Sequence, residues 1–147
     1  MKTEKIEKLK ELAKQIMAVN PECLISGSLA LVMQGIKIRR EPQDLDIYLP
    51  YGEKFTKIEG MYSVPKNGEY PPENWNRESY VFDKIQIDVF TPDDSDEKGL
   101  NAGGWFGDIG TVRPSDIIKF KFDHALGEHW TKHKHATDII YMMAANV

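Results

Sequence analysis

Apolar residues recur three and four positions apart near the start of the chain: Ile6, Leu9, Leu12, Ala13, Ile16 and Met17. That period puts them on one stripe and predicts a helix over residues 3–19. Glu4 and Lys8 add a favourable pair one turn apart. Asn20-Pro21 ends the helix, because the residue before a proline avoids helical angles. The short apolar run from Cys23 to Ser26 predicts a buried strand. Gly27 and Ser28 then turn the chain into a short helix, Leu29 to Gly35. The glycine allows tight backbone geometry, the serine is placed to cap the helix, and the N–H groups at the helix start suit a phosphate.

A charged connector with Lys37, Arg39, Arg40 and Glu41 follows, and Pro42 favours an extended entry into the next element. Asp44 to Leu49 then alternates strictly, which predicts a strand with Asp44 and Asp46 on one face and Leu45, Ile47 and Leu49 on the other. Residues 51–80 are rich in turn signals (Pro65, Asn67-Gly68, Pro71-Pro72), their structure is left open, and Trp75 and Tyr80 are read as closing a flap or filling an edge. Tyr80 to Phe90 predicts a hairpin turning at Asp83-Lys84. Ile85, Ile87 and Val89 face one way in it, and Asp88 the other.

Residues 91–110 predict a loop anchored by Trp105 and Phe106. Its acidic run, Asp93 to Gly99, lacks the spacing and closing glutamate of a calcium loop. Thr111 to Arg113 predicts a short strand. Ser115 is placed to cap a helix over Asp116 to Leu126, with Gly127 at its stop. A last helix is predicted from about Thr131 to Ala145.

Composition narrows the class. A length of 147 residues suits a single domain, here 1–147, with a core at about 23–92 and C-terminal helices at about 115–145. Apolar content of 41% is a globular value. The net charge of −4 argues against a nucleic-acid-coating protein. Residues 113–135 are locally basic, with five Lys/Arg, three acids and all four histidines. One cysteine, Cys23, excludes an internal disulfide and a thiolate zinc site. With no apolar run long enough to span a membrane and no signal-peptide core, the expected location is cytoplasmic.

The candidate chemistry lies in Gly27-Ser28, Asp44-x-Asp46 and Asp88. Asp44 and Asp46 stand about 6.6 Å apart along one strand face. Three carboxylates converging from adjacent strands repel unless a cation joins them, and magnesium takes such oxygen ligands while sharing them with phosphates. His129 and His133 have helical metal-pair spacing. The expected helix start at Thr131 leaves His129 outside the helix, so the histidines are read as exposed or as nucleotide contacts.

The order of these elements resembles the nucleotidyltransferase fold, typified by the palm of DNA polymerase beta. The matching residues are Ile25-Ser26-Gly27-Ser28, Asp44-Leu45-Asp46-Ile47 and Ile87-Asp88-Val89. Gly27-Ser28-Leu29-Ala30-Leu31 and Arg40-Glu41-Pro42-Gln43-Asp44-Leu45-Asp46 are similar to two motifs of the abortive-infection, type IV toxin-like members. Pro42 stands where that group has Ser or Thr. Asp116-Ile117-Ile118 with Lys121 resembles a later motif, and Lys132, Lys134 and Asp138 part of a last one, in which His135 replaces an acid.

The resemblance implies an α/β fold, a nucleotidyltransferase-like mixed sheet with flanking helices. It implies transfer of a nucleoside monophosphate from an NTP to an acceptor hydroxyl, dependent on Mg²⁺ or Mn²⁺. Asp44, Asp46 and Asp88 would be catalytic and metal-binding. Gly27, Ser28, Arg40, Lys121, Lys134 and Asp138 would bind nucleotide. The acceptor stays open among RNA, protein and a small aminoglycoside-like molecule. The rival expectation is a non-catalytic module of the same fold that binds nucleotide or a partner protein, as in toxin–antitoxin systems. A metal-dependent phosphatase or nuclease is a third.

Overall fold

The computed structural model describes residues 3–65, 75–94, 99–127 and 134–146, without the side chains of residues 3, 124–127, 134 and 135. The fold is α/β. Helix α1 spans Thr3–Val19, β1 Leu24–Ser26, α2 Gly27–Met33, β2 Leu45–Tyr48 and β3 Tyr62–Val64. There follow β4 Trp75–Phe82, β5 Ile85–Pro92, β6 Ala102–Phe106, β7 Ile109–Val112, α3 Pro114–Gly127 and α4 Lys134–Ala145. The strands form one seven-stranded sheet in the order β3-β4-β5-β2-β1-β7-β6. The β2–β5 and β1–β7 pairs are parallel and the rest antiparallel, so the sheet is mixed.

The parallel pairs occupy the middle of the sheet, and alternate residues of their strands turn one apolar face into the core. Ile25, Leu45, Ile47 and Ile87 accordingly have no exposed surface. The stripe of α1 is buried as its period requires: Leu9, Ala13 and Ile16 are fully enclosed. This helix contacts β7, and at the far side of the sheet Lys8 pairs with Asp83 at 3.7 Å. Where Asn20-Pro21 stops the helix, Asn20 donates to the Ile16 and Thr56 carbonyls and accepts from the Thr56 N–H. It thereby ties the helix end to the loop after β2.

Helix α3 lies across the sheet end that carries Tyr48, Phe90 and Trp75. The Phe120 ring sits 5.0 Å from Trp75 and 5.1 Å from Phe90, both edge-on. Trp75 thus belongs to the core and starts a strand; it closes no flap.

Three expectations need correction. The expected loop over residues 91–110 gives way to strand at both ends: β5 runs on to Pro92, and β6 with the start of β7 forms a hairpin turning at Gly107 with φ +63°. Trp105 and Phe106 anchor nothing in the core, being 62% and 38% exposed, because β6 is an edge strand. Neither serine caps its helix. Helix α2 starts two residues earlier, at Gly27, with Ser26 in the N-cap position and no side-chain capping bond; Ser115 lies inside α3, which starts at Pro114.

Candidate functional site

The site starts from strand register. Residues paired across a sheet point their side chains to the same face. Ser26 of β1 pairs with Asp46 of β2, Asp46 with Asp88 of β5, and Asp88 with Ser79 of β4. A polar row Ser26–Asp46–Asp88–Ser79 therefore crosses four adjacent strands. The next residue on each side of Asp46 and Asp88 is apolar and enclosed, so alternation alone raises both carboxylates on the other face. Asp44 lies one residue ahead of β2 and is exposed.

Asp88 is 8% exposed and held from two sides. The Ser79 hydroxyl donates to its Oδ1 at 2.7 Å, and Gln86 Nε2 donates to both oxygens at 3.1 Å. Asp46 lies close against the backbone of Gly27. Gly27 has a φ of +66°, and a Cβ built on it would overlap the Asp46 carboxylate. Glycine is needed there twice over, for its left-handed backbone and for that close approach.

Four of the six residues expected to bind nucleotide come together in a second place. Ser28, Arg40, Lys121 and Asp138 line one small cleft with Ile38, Arg39 and Met142. Helix α3 supplies Lys121, α4 supplies Asp138, and the connector after α2 supplies the arginines. Arg39 Nη2 lies 2.9 Å from Asp138 Oδ1, and Arg40 Nη2 lies 2.6 Å from Oδ2. Burial alone would raise the pKa of the Asp138 carboxyl. The Arg40 hydrogen bond, the Arg40 and Lys121 charges and the Arg39 hydrogen bond outweigh burial and hold it below the ordinary value.

Gly27 joins the two places, since it touches Asp46 and precedes Ser28. Lys134 begins α4, and its side chain lies outside the described residues, as do Lys132, His129 and His133. Asp116 is engaged elsewhere. It accepts from the Asn101 N–H at 2.8 Å and pairs with Arg113 at 3.0 Å, fastening the chain before β6 to the start of α3. These bonds outweigh its partial burial and keep its pKa low.

Sequence reasoning missed Arg39, Ser79 and Gln86. A two-residue turn at Asp83-Lys84 sets Phe82 opposite Ile85 and, counting outward, Ser79 opposite Asp88. The hairpin pattern therefore held the signal for Ser79, and alternation along β5 held it for Gln86. Nothing in the local sequence distinguishes Arg39 from a solvated charge.

The donors in the polar row are all oxygens, and an oxygen-only set suits a hard cation such as Mg²⁺ or Mn²⁺. Asp46 and Asp88 fit that use by their register, and Asp44 by its place two residues ahead of Asp46. Among the described residues no three His, Cys, Asp or Glu side chains are already grouped closely enough to hold a metal. No protein-family model, curated protein or solved structure matches this chain. No described helix is long and apolar enough to cross a membrane.

Proposed function

We infer that this chain is a metal-dependent nucleotidyltransferase domain. It moves a nucleoside monophosphate from an NTP to an acceptor hydroxyl and releases pyrophosphate. One observation carries the reading. Asp46 and Asp88 face each other on adjacent parallel strands, with Gly27 pressed against Asp46 and the cationic cleft beginning at Ser28.

Asp44 and Asp46 would hold the cation, with Asp88 completing the set. When bound, that cation supplies charge neutralisation for the triphosphate and for the developing oxyanions. The residues do the rest. Gly27, having no side chain, lets the Asp46 carboxylate lie against the turn that leads into Ser28. Ser28, Arg40 and Lys121 would take the charge that collects on the leaving pyrophosphate. Asp88, its orientation set by Ser79 and Gln86, would either complete the metal site or take the acceptor hydroxyl's proton as base.

The test incubates the protein with Mg²⁺, each labelled NTP and acceptors drawn from RNA, protein and small hydroxylated amines. Asp44→Ala and Asp46→Ala should abolish label transfer and weaken Mg²⁺-dependent NTP binding. Variants that match the wild type in both measurements would sink the reading.

A second reading is a non-catalytic binding module of the same kind. It draws support from Asp88, whose Oδ1 is already engaged by Ser79 and Gln86. Calorimetry separates the two, since the module predicts NTP affinity that ignores Mg²⁺.

A further inference from the structure

Asp138 is the most enclosed charged group of the cationic cleft. Its side chain is 10% exposed, against 36% for Arg39 and 47% for Arg40. Its Oδ1 accepts from Arg39 Nε at 3.0 Å and from Arg40 Nε at 3.3 Å, and its Oδ2 from Arg40 Nη2 at 2.6 Å. A ligand reaching this carboxylate would have to displace a guanidinium. A carboxylate also has the wrong sign to meet a phosphate.

We propose that Asp138 is a positioning residue, which holds Arg39 and Arg40 from beneath so that they present their free edges, with Lys121, to the polyphosphate of a nucleotide. The inference rests on the nucleotidyl-transfer reading of the same site. A guanidinium carries five N–H donors in a rigid fork, so a carboxylate on one edge leaves the other edge aimed outward. Arg39, Arg40 and Lys121 against Asp138 leave two formal positive charges, so the cleft still attracts an anion. Sequence alone would place Asp138 on the nucleotide; its bonds place it on the arginines.

The opposite role has a different sign. If Asp138 merely filled the anion's place, removing its charge would tighten anion binding. The experiment measures binding of inorganic tripolyphosphate and of Mg²⁺–NTP to the full chain by calorimetry at fixed ionic strength. Asp138→Asn should bind tripolyphosphate roughly tenfold more weakly, although the protein has lost a negative charge. Arg39→Lys and Arg40→Lys keep the charge but lose the fork, and should weaken binding in the same direction.

Equal or tighter binding by Asp138→Asn overturns the inference and leaves the nucleotidyl-transfer reading standing. If circular dichroism shows that Asp138→Asn fails to fold, the two lysine variants decide, and unchanged affinity in both overturns the inference. A wild type that binds neither probe overturns the inference and the reading together.

Discussion

A methyl group at position 27 would meet the Asp46 carboxylate, on a backbone already at φ +66°. Gly27→Ala should cost about 1–3 kcal/mol from the left-handed backbone alone. It should also push Asp46 out of its row. A urea titration reads the first effect, and Mg²⁺-dependent NTP affinity the second. Asp138 gives a prediction in pH. Its folded pKa lies below the ordinary value of 3.8. The unfolded chain therefore binds its proton first as pH falls, so its stabilisation is complete above the unfolded value and is lost as pH falls through the folded one. The stability gap between wild type and Asp138→Asn should be widest near neutrality and should close below about pH 4, where unfolded aspartate takes up its proton. Urea midpoints across pH 3–7 check this, and a gap that stays constant would show that Asp138 makes no charge-dependent contribution.

The β4–β5 hairpin turns on two residues with side chains in the left-handed region, Asp83 at φ 46° and Lys84 at φ 66°. Such turns favour Asn-Gly or Asp-Gly, and a side chain at the second position carries a backbone cost. Lys84→Gly should stabilise the protein by about 1 kcal/mol and raise Tm by roughly 2–4 °C. A thermal scan tests it.

The hairpin was legible because Ile85, Ile87 and Val89 alternate strongly enough to outweigh a poor turn sequence. Helix α1 and the Asp44–Asp46 stretch were legible for the same reason, a clean period. The β6–β7 hairpin was not. Ala102, Gly103 and Gly104 give the first strand little side chain to alternate, and all four residues of β7 are buried, so neither period shows. Trp75 was lost to the prolines before it, although its ring packs between Tyr48 and Phe120.

Across the whole molecule, sequence neighbours supply little of the site. Asp46 meets Asp88 only when β5 docks beside β2, and Arg40 meets Asp138 across 98 positions. Gly27-Ser28 and the aspartates could be read from local pattern because each sits on a period or a turn. The arginine–Asp138 contact could not, since nothing near either partner specifies the other. Just past the far end of α4, Asn146 fastens the helix to the connector again. Its Oδ1 accepts from the Lys37 N–H, and its Nδ2 donates to the Lys37 carbonyl, both at 2.9 Å.

That long-range fastening has a consequence for newly made chains. Translation adds about 5–20 residues per second, so the 98 positions from Arg40 to Asp138 take on the order of 5–20 s to appear. Throughout that interval both arginines exist without the carboxylate and the amide that later grip their segment. The polar row can assemble once β5 has joined β2, but the cationic cleft waits for α4. Until α4 has been made, a nascent chain carries the two arginines without the carboxylate that gathers them.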